Sequence, residues 1–230
     1  MNKAKILFEE EAKKFDDVIP LLIPFYKETY DILISAVPFK NSENIRILDL
    51  GCGTGTLAKR LKQNFPLSKI TCLDFSANML EVAKSKLNKY KDDIEFLAGD
   101  FNKISSEEKY DVIVSSFALH HISTDKEKIR TYKNIYRSLT NNGVFLTADI
   151  VLGAGDHIKD LYFEKWQNFM KKNFSEQIIK KGLVSKYQAD DNPSPMIKHL
   201  NWLQNVGFNE VETIWKYFNF AVWGGRKLES

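Results

Sequence analysis

An α/β fold is what this sequence predicts: a mostly parallel sheet with helices on both of its faces. Three observations carry that prediction. Short β-rich runs alternate with helical runs between residues 45 and 150; the first of those runs breaks on a glycine cluster, Asp49-Leu50-Gly51-Cys52-Gly53-Thr54-Gly55; and the fourth, residues 110–116, is apolar on both faces, as a central parallel strand must be. Repeated β-α-β units imply right-handed crossovers, which put successive helices on either face of one sheet.

Residues 2–40 read as two helices with a proline-bounded joint. Residues 45–50 form the first strand, and a helix over 56–65 follows the glycines and ends at Pro66. Residues 69–74 are the second strand. A helix over 77–90 carries Met79, Leu80, Ala83 and Leu87 near one face. Residues 94–98 and 110–116 are the third and fourth strands. Residues 126–139 are amphipathic, with Ile129, Tyr132, Tyr136 and Leu139 spaced by threes and fours; Asn141-Asn142-Gly143 closes this helix before a fifth strand over 144–148. Residues 153–200 contain an aromatic-rich helix (Tyr162, Phe163, Trp166, Phe169). Two late β-rich runs, 210–215 and 217–223, are separated by Lys216 and predict a terminal antiparallel hairpin on the sheet edge, seven strands in all. One domain over 1–230 is expected: an N-terminal cap (1–40), a core (45–150), a helical lid (153–200) and edge strands (207–225).

Of the 230 residues, 43% are hydrophobic and 27% charged, which excludes wholesale disorder and fibrous architectures. A net charge of +3 is too small an excess to indicate nucleic acid or an anionic membrane. Two cysteines, Cys52 and Cys72, make no disulfide framework and suggest reduced thiols. The first fifteen residues lack an apolar signal-like core, and the apolar run 18–25 is short and broken by two prolines, so a cytoplasmic protein with no membrane segment is expected. A homodimer is compatible with the sequence.

The glycine turn lets a ligand approach backbone that carries no Cβ, at the sheet crevice where doubly wound folds bind ligands. A dinucleotide fold prefers G-x-G-x-x-G; here the third glycine, Gly55, comes one position early and Thr56 stands in its place. Asp49 puts a carboxylate beside the turn, poor for a pyrophosphate and suited to an ammonium group. Asp74 ends the second strand, as expected of a carboxylate that accepts from ribose hydroxyls, although it or Ser76 also suits the cap of the following helix. Asp100 and Phe101 follow the third strand and suit an adenine amino group and ring face. Ser116-Phe117-Ala118-Leu119-His120-His121 follows the fourth, at the centre of the crevice.

These elements, with Phe75-Ser76, Asn78-Met79-Leu80, Leu119-His120-His121-Ile122 and Gly143-Val144-Phe145, resemble the class I S-adenosylmethionine-dependent methyltransferases over residues 45–150 in order and spacing. The resemblance implies a Rossmann-like methyltransferase fold with S-adenosyl-L-methionine as cofactor and S-adenosyl-L-homocysteine as product. The flanks, Phe15-Asp16-Asp17, Ile19-Pro20, Pro24-Phe25-Tyr26, Gly207-Phe208 and Phe218-Asn219-Phe220, are similar to the carboxy-S-adenosylmethionine synthase branch that serves tRNA wobble-uridine modification. That likeness implies a cofactor touched by Tyr26, held by Gly51, Cys52 and Gly53 at its methionine part, by Asp74 and Phe75 at the ribose and adenine edge, and by Asp100 and Phe101 at the adenine. Gly55 and Met79 belong to the same motifs. Ser116 stands where the branch has an asparagine, and Met170-Lys171-Lys172 stand where it has a carboxylate-holding arginine; both departures favour ordinary S-adenosylmethionine.

His120 and His121 are the candidate general bases, needed only where the acceptor is protonated. Asp149, ending the fifth strand, is a candidate to face the acceptor. Adjacent histidines rarely meet one ion and no third ligand stands at useful spacing, so no metal is expected. Cys52 reads as a small turn residue. The expected function is methyl transfer to a small-molecule acceptor. The alternatives are a carboxy-S-adenosylmethionine synthase-like enzyme and a non-catalytic S-adenosylmethionine-binding regulatory protein; the glycine spacing argues against a nicotinamide dehydrogenase.

Overall fold

A computed structural model describes residues 14–100, 104 and 109–229. The strands are β1 (Arg46–Leu50), β2 (Lys69–Asp74), β3 (Ile94–Ala98), β4 (Tyr110–Ser116), β5 (Leu139–Ile150), β6 (Asn209–Tyr217) and β7 (Phe220–Arg226). They form one seven-stranded sheet in the order β3-β2-β1-β4-β5-β7-β6. β1 to β5 run parallel, and β7 pairs antiparallel with both β5 and β6. The order reverses between β1 and β4, the switch point at which the crossover connections leave in opposite directions and open a crevice. Leu50 is in register with Leu73 and with Ser115, so the carboxyl ends of β1, β2 and β4 finish side by side there.

Alternation along the strands feeds two apolar layers. Ile47, Val112, Val114 and Leu146 face one layer, with Leu33, Leu57, Leu61 and Leu80. Those four come from α2 (Tyr26–Ser35), α3 (Thr56–Asn64) and α4 (Ala77–Leu87). Leu48, Ile113 and Phe145 face the other layer, with Tyr132, Ile135 and Leu203 from α5 (Asp125–Ser138) and α7 (Met196–Val206). Both faces of β1 and β4 are therefore dry, which is why those strands read as unbroken apolar runs. α5 begins on a capping box: the Thr124 hydroxyl accepts from the Glu127 N–H at 3.2 Å, and the Glu127 carboxylate accepts from the Thr124 N–H at 3.2 Å.

Several element bounds differ from the sequence expectation, two of them for reasons that the strand pairing shows. β5 starts at Leu139, because that residue pairs with Tyr110, and the Asn142 that was expected to close a helix instead takes a left-handed φ of 63° inside the strand. The hairpin turns at Phe218-Asn219, away from Lys216, with Tyr217 opposite Phe220 and Phe218 at a φ of 50°.

Before the sheet, α1 (Phe15–Leu22) and α2 meet at Pro24-Phe25, Phe25 being left-handed. After β5 come α6 (Asp156–Met170), a helical run over 176–190 whose middle, Ile179–Val184, is π-helical, and α7. The Trp166 indole N–H of α6 donates to the Leu22 carbonyl at 2.8 Å, tying this segment to the N-terminal helices. Among the described residues no helix is long and apolar enough to cross a membrane.

Candidate functional site

A cleft opens above the ends of β1, β2 and β4. Of the residues singled out from the sequence, Tyr26, Gly51, Cys52, Gly53, Asp74, Phe75, Met79, Ser116 and His121 line it. Gly55 belongs to the turn without lining the cleft; Asp49 and His120 are buried outside the lining, and Asp100 is exposed beyond β3, also outside it. Phe101 lies outside the described residues.

The turn is built by positive φ at Gly51 (68°), Gly53 (53°) and Gly55 (75°), a conformation that side chains disfavour. Gly53 and Gly55 differ in what surrounds them. A Cβ on Gly53 would meet nothing within 4 Å, so the missing side chain leaves open space; a Cβ on Gly55 would stand 2.8 Å from Leu87 Cδ1, so that glycine lets α3 close on α4. The turn is pinned to β2 by the Gly51 and Cys52 N–H groups, which donate to the Leu73 carbonyl at 2.8 and 3.1 Å.

Asp74 organises the same turn. Its Oδ2 accepts from the Gly53 N–H at 2.8 Å and its Oδ1 from the Ser76 N–H at 2.9 Å. Ser76 caps α4 through its hydroxyl, which accepts from the Met79 N–H at 3.3 Å, so Asp74 is not the cap. Burial raises the Asp74 pKa, and the two backbone N–H groups oppose that rise. Asp49 has no such support. It is fully buried, and neither carboxylate oxygen has a partner within good hydrogen-bond geometry; the Ala58 N–H gives it only weak support. Burial first, and the Asp74 carboxylate second, push its pKa up to about 7, against a smaller pull from the Ala58 N–H.

Aromatic residues close the opposite side. Phe117 leaves β4 at a left-handed φ of 49°, and its ring stacks on Tyr26 with centroids 5.9 Å apart. Tyr26 and Tyr30 share a hydrogen bond of 2.8 Å, and Tyr30 donates to the Ser116 hydroxyl at 3.3 Å. Burial pushes the Tyr30 hydroxyl up to about 12 and raises that of Tyr26 further, so both remain protonated donors. The third side is a polar clasp from α1. Asp16 accepts from the Thr54 and Thr56 hydroxyls at 2.6 and 2.9 Å and pairs with Lys86 at 2.5 Å. Burial works against the Asp16 charge, and Lys86 with the two hydroxyls outweighs it and lowers the pKa. Sequence reading missed Tyr30 and Lys86, and named Thr54 and Phe117 within their motifs without giving either a role; only the Phe15-Asp16-Asp17 run hinted at the clasp.

The two histidines separate by role. His120 is buried, its Nδ1 bonded to Asp149, which also accepts from the His120 backbone N–H at 3.1 Å. Burial opposes a charge on His120, but the Asp149 and Asp191 carboxylates prevail and raise its pKa to about 9. Asp149 is thus turned onto His120 and the Ile150 N–H, where the sequence had it as a candidate to face an acceptor. His121 lines the cleft, and burial, reinforced by His120, lowers its pKa. Asp191, 3.0 Å from His121 Nδ1, is a neighbour that no sequence signal announced. Lys171 pairs with Glu176 on the surface, and neither it nor Lys172 lines the cleft.

Residues 47–143 match the methyltransferase domain family model. The chain is 31% identical over 226 residues to the carboxy-S-adenosyl-L-methionine synthase of Nautilia profundicola, covering 93% of this chain and 90% of that protein. Human N-acetylserotonin methyltransferase in complex with S-adenosylmethionine superposes with a TM-score of 0.64 at 19% identity, over 96% of this chain and 57% of that one. Phosphoethanolamine N-methyltransferase 2 of Haemonchus contortus, in complex with phosphomonomethylethanolamine and S-adenosylhomocysteine, superposes with a TM-score of 0.61 at 24% identity, over 82% of this chain and 38% of that one.

Proposed function

This chain belongs to the class I S-adenosylmethionine-dependent methyltransferase family, in company with the carboxy-S-adenosyl-L-methionine synthases, and from that premise we propose that it transfers a methyl group from S-adenosylmethionine to a small acceptor seated between Phe117 and His121. The residues present fit the cofactor on two counts. Asp49 is a buried carboxylate without a hydrogen-bond partner in good geometry, which suits an ammonium group held over the turn. Gly53 leaves open space where any other residue would carry a Cβ.

When bound, S-adenosylmethionine supplies a methyl on a sulfonium, an electrophile that needs no further activation. The protein's work is then positioning and exclusion of water. Gly51, Cys52 and Gly53 would cradle the methionine part. Asp74 has lone pairs left over from Gly53 and Ser76 to accept from ribose hydroxyls. Phe75 and Met79 offer an apolar seat for the base. The Tyr26–Phe117 stack and the Asp16–Lys86 clasp support a capping role for the N-terminal helices, and the Trp166 contact with Leu22 supports a lid role for residues 153–200. His121, held neutral at pH 7 by burial, is the group able to accept a proton from an acceptor, at the Nε2 turned away from Asp191.

One observation carries methyl over carboxymethyl chemistry: among the described residues lining the cleft there is no lysine or arginine, and Lys86 of the clasp beside it is already paired with Asp16 and the two threonine hydroxyls, which leaves no cation to pair with an extra carboxylate. The second reading, a carboxy-S-adenosylmethionine synthase-like activity, is favoured by the near full-length match to a relative of that name. Mass spectrometry of the nucleoside retained on purification separates the two. The expected species is S-adenosylmethionine or S-adenosylhomocysteine, with release of the latter on incubation with small amine, hydroxyl or acidic-carbon acceptors. A retained carboxylated sulfonium overturns the methyl-transfer reading.

A further inference from the structure

We propose that His120, His121 and Asp191 form a first-row transition-metal site, with zinc as its best-suited ion, at the rim of the cleft. The side-chain atoms these residues offer lie within 4.8 Å of one another. His121 Nδ1 is 3.0 Å and His120 Nε2 is 3.7 Å from the same Asp191 oxygen. Two ligands on a tetrahedral zinc stand about 3.4 Å apart, a value these separations bracket. Two imidazoles and one carboxylate are a donor set that zinc and its neighbours favour over magnesium or calcium.

Three features beyond the cluster support a built site. Asp149 holds His120 at Nδ1, which fixes the ring with that nitrogen occupied and Nε2 toward Asp191; a carboxylate behind a ligating histidine is how such ligands are oriented. The loop that carries Asp191 is fastened to the histidine turn: the Asn192 N–H donates to the His120 carbonyl at 2.7 Å, and Lys128 donates to the Asn192 carbonyl and, at 2.8 Å, to the Ser194 hydroxyl. His121 also lines the cleft, together with Ser116 and Phe117, so the cluster borders space that a ligand can enter. The inference rests on ligand geometry and does not require methyl transfer; with a metal on Nδ1, His121 carries its proton at Nε2, so metal binding and proton acceptance are alternative states of this residue.

The test uses the full chain, stripped with a chelator and given no nucleoside. After dialysis against zinc, one equivalent per chain is expected by elemental analysis; cobalt loading is expected to produce visible d–d bands without thiolate charge transfer. Asp191→Asn and His121→Asn should each lower zinc affinity at least tenfold while keeping the wild-type circular dichroism. Asp149→Asn should lower it about 10–100-fold, and His157→Asn, an exposed histidine on α6, should leave it unchanged. Wild-type protein that emerges metal-free, equal binding by folded Asp191→Asn or His121→Asn, or a thiolate band that puts the metal on Cys52 and Cys72 would each overturn the site. Should one variant not fold, the other decides.

Discussion

Asp49→Asn isolates the least comfortable charge in the protein. The Asp49 carboxylate is fully buried, has no hydrogen-bond partner in good geometry, and has its pKa raised from 3.8 to about 7 by burial and by Asp74. A folded-state pKa above the unfolded one means that ionisation is opposed by the fold. Stability is therefore greatest below the unfolded pKa and falls as pH rises from about 4 to about 7, after which the loss is constant. At about 1.4 kcal/mol per unit, the full penalty is about 4 kcal/mol above pH 7, and the part incurred between pH 5 and pH 8 is about 2–3 kcal/mol. Asparagine removes the charge at nearly constant shape. Without ligand, Asp49→Asn is expected to be more stable than wild type in urea, by a margin that widens by about 2–3 kcal/mol from pH 5 to pH 8. With ligand the order reverses: calorimetry should record an S-adenosylhomocysteine affinity lower by about 1–3 kcal/mol, because the buried partner of the ammonium is gone. A variant that binds as tightly as wild type, or whose stability follows the same pH curve, refutes the assignment of Asp49 as a charge held in reserve for the ligand.

Three further perturbations probe the site and its walls. Asp74→Ala removes the acceptor of the Gly53 and Ser76 N–H groups and is expected to weaken S-adenosylhomocysteine binding by about 1.5–3 kcal/mol, with unchanged calorimetric affinity as the contrary result. Gly55→Ala, whose Cβ would press on Leu87 and Ala83, should cost about 1–3 kcal/mol of stability, whereas Gly53→Ala should bear only its backbone strain of about 1 kcal/mol in stability and lose ligand affinity; equal melting temperatures for the two would contradict the division. Trp166→Phe should lose about 1 kcal/mol with the hydrogen bond to Leu22, and Trp166→Ala about 3–5 kcal/mol with its packing on Phe163, Tyr187 and Phe220; urea denaturation distinguishes them, and identical losses would mean that the hydrogen bond alone holds the segment.

Local patterns carried far, and their failures are instructive. β2, β3 and β4 have the bounds that periodicity predicts, because alternation and apolar runs are properties of neighbouring residues. The hairpin turn went astray because Tyr217-Phe218-Asn219-Phe220 reads as unbroken strand, and Phe218 turns at a left-handed φ that its residue type does not advertise. β5 begins early because Leu139 finds Tyr110 across the sheet, a pairing that overrides the asparagines after it.

By itself, the sequence determined the alternation of strands and helices that makes the core sheet parallel, the glycine turn after β1 and the acids at the strand ends, since each is written in residues within a turn or two of one another. Only the tertiary structure decided that Asp49 is stranded without a partner in good geometry, that Ser76 and not Asp74 caps α4, and that two adjacent histidines share Asp191 while Asp149 holds only His120 at its ring. Those outcomes depend on which side chains meet across the sheet: His121 and Asp191 stand 70 positions apart in the chain and 3.0 Å apart in space. No local pattern specifies such a meeting, because it is bonds from distant segments, Lys128 of α5 and the Leu152 N–H to Ser194 and the Asn192 N–H to the His120 carbonyl, that hold the loop against the histidine turn.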